Sequence, residues 1–443
     1  MPTMHRESAL GESLLHRLGD ARHKSDALFE IVRPEALYDR PIPERHRIVF
    51  YIGHLEAFDW NLLHENVFGL SSFHPEFDRL FAFGIDPVGG GLPTDEASDW
   101  PSLDRVREYV RKIRASLDGK LQAATAADVY QRDGFSLETL LNVAIEHRLM
   151  HVETLAYMLH QLPLDRKIPN PAVPPQLTYR VKPSMVEVAS GIVRLGLSRR
   201  RGAFGWDNEF EANMVDVPGF EIDRHMVTNG QFLAFIEDGG YERREFWGDS
   251  DLHWKNSSRV SFPVFWRHRD NSWLYRTMFD EVPLPMEWPV YVSHAEASAY
   301  ARWAGKALPT EAQWQRAAYG SGENTDRFYP WGNEAPDPSR GNFDFQSWDP
   351  TPVHAHPRGQ SAFGVEGMLG NGWEWTSTVF GPFAGFEAFP FYRGYSADFF
   401  DGKHYVIKGG SARTAACMLR PSFRNWFQSH YRDVYAGFRC LND

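Results

Sequence analysis

Apolar side chains recur at the three- and four-residue spacing of amphipathic helices up to about Gln161. The stretches HRIVFYIGHLEAFDWNLLHENVF and DRVREYVRKIRASLDGKLQAA show this spacing clearly. Five prolines then forbid a continuing helix and favour an extended connector, namely Pro163, Pro169, Pro171, Pro174 and Pro175. The pattern therefore predicts a helical bundle over residues 1–162 and a proline-rich linker over residues 163–182.

Beyond the linker, short apolar runs alternate with turn segments rich in Gly, Trp and Phe, such as FYPWGNEAPDPSRGNFDF. One region, SHAEASAYARWAGKALPTEAQWQRAAYG, keeps helical spacing and predicts two helices with Ser293 and Thr310 as N-caps. We therefore expect a loop-dominated α+β domain over residues 183–443. The whole chain is predicted to be a two-domain α+β protein.

Composition narrows the classes of partner. The formal net charge of -11 and the pI near 5.9 argue against a nucleic-acid-binding surface. The chain has no apolar run of about 18 residues to cross a membrane, and its start has no apolar signal core. Two cysteines, Cys417 and Cys440, cannot form a disulfide framework. We expect a cytoplasmic protein that acts on small molecules.

Two histidines stand four residues apart in IEHRLMHVETLAYMLHQ, where His147 and His151 share one helix face. The ordinary alternative is a pair of surface histidines, but the flanking residues are strongly apolar, which indicates a buried pair. His54 lies in a similarly apolar helix and could supply a third ligand across the bundle. Glu153 is about 200° around the helix from His151, so we interpret it as a supporting or interhelical partner.

Three neutral imidazoles would leave coordination positions open on a metal ion, which suits catalysis better than a closed structural site. Zn(II) at such a site would activate water or a thiol, whereas Fe(II) would bind dioxygen together with a substrate. The ligand types alone leave this choice open.

Several motifs resemble those of the ergothioneine sulfoxide synthases. His54 with His147, His151 and Glu153 is similar to the histidine pattern of their DinB-like bundle, and FGWDNE, GMLGNGWEWT, RPSFRNW and AGFRC are similar to phrases of their formylglycine-generating-enzyme-type domain, a C-lectin-related fold. The resemblance covers nearly the whole chain. It implies that the three histidines hold a non-haem Fe(II) at the interdomain cleft, where dioxygen is used to join a sulfur donor to the imidazole C2 of hercynine.

The same resemblance implies roles for residues of the second half. YRGYSADFF is similar to the family's tyrosine pair, so Tyr392 would be the catalytic proton donor and Tyr395 would help to form the betaine pocket. Asn425 and Trp426 would contact hercynine. A trimethylammonium group donates no hydrogen bonds, so aromatic faces and electrostatics must bind it.

Some positions depart from the family pattern. Phe427 replaces an acid that grips the donor's amino group, Met150 replaces a glutamine, and Arg413 stands where a neutral residue is usual, so Phe427 and Arg413 are counted among the binding residues. The loop FAFGIDPVGGGLPTDEASDWPS has no Arg or Lys where relatives bind the donor's carboxylates. Its Val88–Gly91 segment is interpreted as a flexible loop and a candidate lid.

These departures predict a less anionic donor. The selenoneine synthase branch, which resembles the ergothioneine enzymes throughout, takes a selenosugar as its donor. We therefore hypothesise that the chain uses Fe(II) and dioxygen to form a C–Se bond between a selenosugar and hercynine.

Four other interpretations remain open. The donor could be cysteine or γ-glutamylcysteine, as in an ergothioneine-type sulfoxide synthase. A zinc-dependent thiol transferase would need no dioxygen. A true formylglycine-generating enzyme would need two nearby cysteines, and a C-lectin-like binding module would leave the bundle inert. The loop around Trp373 and Trp375 is predicted to be core and turn structure, with a structural Ca²⁺ as a further possibility.

Overall fold

The structure is a computed structural model, and it describes residues 4–82, 92–124, 131–170, 181–322 and 327–442. The chain divides into two compact units, Met1–Asn170 and Pro171–Asp443, and each is described separately below. The proposed lid Val88–Gly91 and residues 171–180, half of the predicted linker, lie outside the described residues.

The first unit is helical. Its described elements are α1 (Met4–Glu30), α2 (Ile48–Leu63), α3 (Pro75–Leu80), α4 (Leu103–Ala123), the short strands β1 (Gln131–Arg132) and β2 (Phe135–Ser136), and α5 (Leu137–Gln161). α1 packs against α5, and α2 packs against α3, α4 and α5. Because α2 contacts three helices, it is buried along most of its length and forms the centre of this unit.

Helix α5 has a defined start. The Ser136 hydroxyl accepts a hydrogen bond from the Thr139 backbone N–H at 3.3 Å, which caps one of the free amides of the first turn. The helix then continues for 25 residues, and its middle portion is buried against α1 and α2. A capped helix of this length holds residues one turn apart in a fixed relation.

The helical unit extends beyond the predicted boundary at residue 162. The backbone N–H of Ile168 donates to the carbonyl of Ile31 at 2.7 Å, and Lys167 forms an isolated β-bridge with Val32. The Lys167 side chain is buried, and its Nζ donates to the Leu159 carbonyl at 3.1 Å. Residues 163–170 contain a short 3-10 helix, Leu164–Arg166, and the segment packs on this unit.

The second unit combines short strands, four described helices and long irregular segments. Its described elements are β3 (Met185–Val188), β4 (Gly191–Leu195), β5 (Asn213–Val217), β6 (Phe220–Asp223), α6 (Asn229–Glu237), α7 (Asp249–Ser257), β7 (Trp266–Arg269), β8 (Ser272–Arg276), β9 (Glu281–Pro283), α8 (His294–Trp303), α9 (Glu311–Tyr319), β10 (Trp373–Val379), β11 (His404–Lys408), β12 (Asn425–Gln428) and β13 (Ala436–Gly437). Ser293 and Thr310 cap α8 and α9 through reciprocal capping boxes, which confirms the predicted N-caps.

The strands of the second unit form several small sheets. A four-stranded sheet has the order β12-β11-β10-β13, in which β10 and β13 are parallel and the other pairs are antiparallel. β3 pairs with β6, β4 with β5, and β7, β8 and β9 form a meander. Register places Trp426 opposite Val406 and Phe427 opposite Tyr405. Neighbouring residues of β12 therefore face opposite sides of the sheet.

The GNGWEWT motif belongs to the core of the second unit. Trp373 and Trp375 are buried on β10. Between them, the buried carboxylate of Glu374 accepts hydrogen bonds from Arg439 at 2.6 and 2.7 Å and from Trp314 Nε1 at 3.0 Å. These bonds satisfy the buried carboxylate and fix the strand, so the motif is structural.

None of the described helices is both long enough and apolar enough to cross a bilayer.

Candidate metal centre and aromatic cluster

Three histidines meet between α2 and α5. His54 lies on α2, and His147 and His151 lie one turn apart on α5. One ligand nitrogen from each lies within 4.8 Å of the others, and the Nε2 atoms of His54 and His151 are 3.2 Å apart. Nitrogens bound at about 2.1 Å to adjacent positions of one ion lie about 3 Å apart. The geometry therefore fits one metal ion.

The His54 ring is held in one orientation. Its Nδ1 lies 2.7 Å from the Phe81 carbonyl oxygen, so Nδ1 carries the proton and donates, and Nε2 is left as the ligand atom. The neighbouring Gly53 permits this contact, because a Cβ there would lie 2.5 Å from the Phe81 ring. The His54 ring also stacks on Phe50, with 4.8 Å between centroids.

The two α5 histidines are held by aromatic contacts. The His147 ring stacks on Phe58 with 3.4 Å between centroids, and the His151 ring lies 5.9 Å from that of Tyr51. Within the described chain, His151 Nδ1 is buried without a hydrogen-bond partner. A buried imidazole of this kind retains ligating capacity that the protein itself does not use.

All three imidazoles are neutral. Burial lowers the pKa of His54 to about 4, with the His46 and Arg148 charges adding to the effect. Burial, followed by the neighbouring histidines, holds the pKa of His147 well below its usual range. Burial and the nearby charges do the same for the pKa of His151. Neutral imidazoles are the form that binds a metal ion.

An ion-pair network fixes α2 against α5 beside the histidines. Arg148, which follows His147, is fully buried and contacts Glu56 at 2.9 Å and Asp59 at 2.7 Å, both on α2. It also donates to the Leu55 carbonyl at 2.9 Å. Three contacts from one side chain to one helix fix the register of the two helices, and so they fix the spacing of the histidines.

Glu56 is the charged centre of this network. Burial would raise the pKa of its carboxyl group, but the guanidinium groups of Arg148, Arg114 and Arg22 outweigh burial and lower the pKa to about 2. Arg114 contacts Glu56 at 2.6 Å and extends the network to Asp26 at 2.7 Å. Buried carboxylates are stable only with such partners.

The chemistry of the donor set fits a catalytic metal. Three neutral nitrogens with no carboxylate leave positions for exogenous ligands, as in mononuclear catalytic sites. Among the described residues, this is the one group of three or more His, Cys, Asp or Glu side chains close enough to share an ion. The suggestion of a structural Ca²⁺ in the second unit gains no support from these residues and stays a prediction.

Glu153 is buried on α5 but lies outside this histidine group. Its supporting role stays a prediction.

An aromatic cluster forms in the second unit around the predicted tyrosine pair. The rings of Tyr392 and Tyr395 lie 5.5 Å apart, and Tyr395 stacks on Trp206 at 4.1 Å. Trp426 lies 5.4 Å from Tyr395 and stacks on Phe380 at 4.1 Å. We call these five residues the aromatic cluster. Trp206 and Phe380 are fully buried, whereas the half-buried rings of Tyr392, Tyr395 and Trp426 can offer π faces to a quaternary ammonium group.

The tyrosine segment is anchored to the buried FGWDNE segment. Ser396 donates from its hydroxyl to the Asp207 carboxylate at 2.5 Å, next to Trp206. Burial raises the pKa of Asp207 to about 6 despite the bond from Ser396. Glu209 accepts from Arg420 at 2.5 and 2.8 Å, and this pair holds the other end of the segment. The segment therefore acts as a rigid base for the tyrosines.

The other predicted binding residues are more dispersed. Asn425 and Phe427 share the face of β12 opposite Trp426, and Phe427 stacks on Tyr431 at 5.1 Å. Arg413 is buried, with its guanidinium carbon 4.1 Å from the Trp348 ring centre. These contacts differ from those of the aromatic cluster. The binding roles of the three residues stay predictions.

We call the segment FAFGIDPVGGGLPTDEASDWPS the donor loop. Arginines from elsewhere in the sequence hold the described part of this loop. Asp95 contacts both Arg40 and Arg47, and Trp100 Nε1 donates to the same carboxylate at 2.7 Å. These two guanidinium groups are thus used to hold the loop. They precede α2 in the sequence, so an inspection of the loop alone overlooks them.

Sequence reasoning also missed the residues that position the site. The buried network around Arg148 left one signal, which was acidic residues within the apolar run GHLEAFDW. Trp206 and Phe380 are distant in sequence from Tyr395, and no local spacing associates them.

Comparison with known proteins supports the domain order. Residues 171–443 match the sulfatase-modifying factor enzyme 1-like domain, and residues 17–155 match the DinB superfamily. The predicted fold class, a DinB-type helical domain followed by a formylglycine-generating-enzyme-type domain in a mixed α/β chain, is thereby confirmed.

Two relatives cover most of the chain. A hercynine oxygenase of Mycobacterium tuberculosis is 37% identical over 76% of this chain and 78% of its own length. A hercynine oxygenase of Mycolicibacterium smegmatis is 34% identical over 98% of this chain and 99% of its own length. Among solved structures, PvdO from Pseudomonas aeruginosa is 18% identical with a TM-score of 0.40, covering 58% of this chain and 93% of its own, which is too distant to carry an argument.

Proposed function

Since this chain belongs to the hercynine oxygenase family of ergothioneine biosynthesis and is an oxygenase-type enzyme, we propose that it joins a chalcogen donor to the imidazole C2 of hercynine. We propose further that Fe(II), held by His54, His147 and His151, serves the reaction and that dioxygen is the oxidant. The observation that carries the proposal is the buried group of three neutral histidines.

Each of these histidines offers one nitrogen to the metal. Their burial excludes water from the ligand side, and the Arg148 network maintains their spacing. When bound, Fe(II) would supply the activation of dioxygen. The described group consists of three neutral histidines and no carboxylate. The bound Fe(II) would therefore keep its positive charge toward the donor and dioxygen.

The aromatic cluster would bind the trimethylammonium end of hercynine. Tyr395 and Trp426 are half-buried and would offer π faces to a cation that cannot donate hydrogen bonds, and the buried Trp206 stacks on Tyr395 and fixes its ring. Tyr392 would transfer a proton to the reacting substrate, because a phenol O–H can donate a proton from a fixed position.

We propose that the donor is a selenosugar. The donor loop contains no Arg or Lys of its own, and the arginines that contact it, Arg40 and Arg47, are paired with Asp95. The carboxylates of a dianionic peptide thiol would therefore compete with Asp95 for these two guanidinium groups. A neutral sugar needs no such clamp, and Phe427 in place of an acid removes a partner for an amino group.

A sulfur donor is the second candidate function. Relatives over most of the chain bear the name hercynine oxygenase, and others bear the name ergothioneine biosynthesis protein. In this case cysteine or γ-glutamylcysteine would replace the selenosugar, and the product would be a sulfoxide.

The test is a set of parallel reactions with anaerobically purified protein loaded with Fe(II). Hercynine and dioxygen are supplied with either a selenosugar or γ-glutamylcysteine, and products are identified by mass spectrometry. A selenium-bearing imidazole from the selenosugar alone supports the proposal. A sulfoxide from γ-glutamylcysteine alone establishes the second candidate. Activity with Zn(II) and without dioxygen would show a thiol transferase and refute both.

The role of Tyr392 is tested by comparing Tyr392→Phe with Tyr395→Phe. Loss of a positioned general acid typically slows turnover by about 10²–10⁴-fold, so Tyr392→Phe should reduce kcat with little change in the KM for hercynine. Tyr395→Phe keeps its ring on Trp206 and should have the smaller effect. Equal losses of kcat in the two variants would contradict the assignment.

A further inference from the structure

A separate cavity of about 280 Å³ lies within the second unit. Its walls come from β4 and the loop that follows, from the end of α9, and from residues 327–328 and 420–422. None of the predicted site residues lines it. A space of this volume accommodates a small organic molecule and is far larger than the space of one water molecule.

Arginines are concentrated at the cavity. Four of its lining residues are Arg194, Arg316, Arg327 and Arg420; Arg420 is already paired with Glu209, and the described lining residues include no Asp or Glu. The chain as a whole has a net charge of -11, so this concentration of positive charge is local. Guanidinium groups grouped around a concave surface attract and bind anions.

Several of these guanidinium groups are already oriented. Arg316 donates to the carbonyl oxygens of Ala189 at 3.1 Å and Ser190 at 3.0 Å, and Arg327 donates to that of Pro330 at 3.2 Å. Bonds to these carbonyl groups hold the two guanidinium groups in place. The cost of ordering the arginines when a ligand binds is thereby reduced.

The rest of the lining is mainly apolar. The side chain of Phe328 is 68% exposed and that of Ile192 is 56% exposed, which leaves two large apolar groups in water at this cavity. Gln315 also lines it. Its side chain is 98% buried, and its Oε1 has no hydrogen-bond partner within the described part of the chain. A buried acceptor of this kind is costly unless a ligand or water supplies a donor.

We propose that this cavity is a second ligand site, which binds a small organic anion with an apolar body. The arginines would bind a carboxylate or phosphate head, Phe328 and Ile192 would cover the apolar body, and Gln315 would accept a hydrogen bond from a hydroxyl or N–H of the ligand. The proposal is independent of the donor and metal assignments.

The experiment is calorimetric titration of the full-length protein with octanoate, octyl phosphate, n-octanol and inorganic phosphate. The first two probes distinguish a carboxylate from a phosphate head. We expect at least one of them to bind about tenfold or more tightly than both n-octanol and inorganic phosphate, because only the amphipathic anions use both parts of the cavity.

Two substitutions place the binding at this cavity. Arg327→Gln should weaken the preferred anion about tenfold by removing a charged donor, and Phe328→Ser should weaken it about fivefold by removing apolar contact. The matched controls are Arg269→Gln, whose side chain is 60% exposed, and Ile168→Ser, whose side chain is 45% exposed; both lie outside the cavity and should leave binding unchanged.

Binding that ignores Arg327→Gln and Phe328→Ser would overturn the proposal, as would equal affinity for octanol and the anions or no binding at all. Circular dichroism of each variant shows that the fold is retained. Both altered side chains are exposed or half-exposed, so their replacement should not unfold the protein.

Discussion

The helical unit and the second unit position their candidate site residues by different means. In the helical unit, two regular helices place three histidines, and helical periodicity sets the distance between His147 and His151. In the second unit, the aromatic cluster combines residues from four separate chain segments, joined by stacking and by the Ser396–Asp207 bond. Regular geometry is encoded locally, whereas the irregular cluster depends on the whole fold around it.

Buried ion pairs occur in both units. Arg148 joins α2 to α5 through Glu56 and Asp59, and Arg439 joins the C-terminal segment to β10 through Glu374. In each case the arginine and its carboxylates are almost completely removed from water. Such pairs contribute little net stability compared with apolar packing, but breaking one is costly because it leaves a buried charge alone. These pairs therefore fix the arrangement of each unit, and the removal of one partner should lower its stability strongly.

The largest effect is expected at the histidines. His147→Ala removes one of three ligand nitrogens, so the protein should lose stoichiometric Fe(II) on dialysis and turnover should fall by at least about a thousandfold, since the metal contributes several kcal/mol. Metal analysis and product formation measure the two effects. His16→Ala is the control, because the side chain of His16 is 78% exposed on α1. Full retention of iron by His147→Ala would rule out the metal centre.

The next effect is expected from the network that positions the histidines. Arg148→Met leaves Asp59 buried without its arginine partner and removes one of the guanidinium groups around Glu56, which should lower the free energy of unfolding by about 3–5 kcal/mol. Urea denaturation measures the change. Lys112→Met, which removes a surface ion pair with a side chain 58% exposed, should cost less than about 0.5 kcal/mol. Similar losses in the two variants would show that the buried network does not hold the helical unit together.

In each unit, one carboxyl group should make the folding stability depend on pH, and the two dependences should have opposite signs. Burial raises the pKa of Asp207 to about 6, so the folded protein binds this proton more tightly than the unfolded chain. The contribution of Asp207 to the stability of the wild type should therefore fall as pH rises from about 4 to 6. Asp207→Asn removes this titration and should raise stability at pH 7 by roughly 2–3 kcal/mol, with no gain below about pH 4.

Glu56 provides the opposite sign. Its pKa is lowered to about 2, so its contribution is fully present above the usual value near 4.5 and is lost as pH falls toward 2. Glu56→Gln should therefore destabilise the protein at pH 7 and lose this penalty in acid. Thermal denaturation across pH 3–8 compares both substitutions with the wild type. A stability difference independent of pH in either variant would refute the assigned ionisation.

The smallest effect is expected at helix starts, where the two units use the same device. Ser136→Ala should lower the free energy of unfolding by about 1 kcal/mol, because the Thr139 amide loses its acceptor, whereas Ser136→Gly should cost only a few tenths. Thr310→Ala at α9 in the second unit should behave like Ser136→Ala. Chemical denaturation resolves these differences. An equal cost for Ala and Gly at position 136 would mean that the cap is not the cause.

Local patterns determined a substantial part of this protein. The amphipathic spacing predicted the helical first half, and the cap residues Ser293 and Thr310 predicted the starts of α8 and α9, because a helix start is defined within a few residues. The four-residue spacing of His147 and His151 predicted a shared face, and the structure places His54 beside them. The apolar surroundings of all three indicated their burial.

Tertiary structure alone decided the remaining features. It placed Arg148 between Glu56 and Asp59, packed residues 163–170 on the helical unit, and brought Arg40 and Arg47 to Asp95. None of these contacts follows a helical or strand period, because each joins residues whose proximity results from the packing of separate elements. The sequence by itself determined which residues could bind a metal, and packing decided which charges and rings surround them.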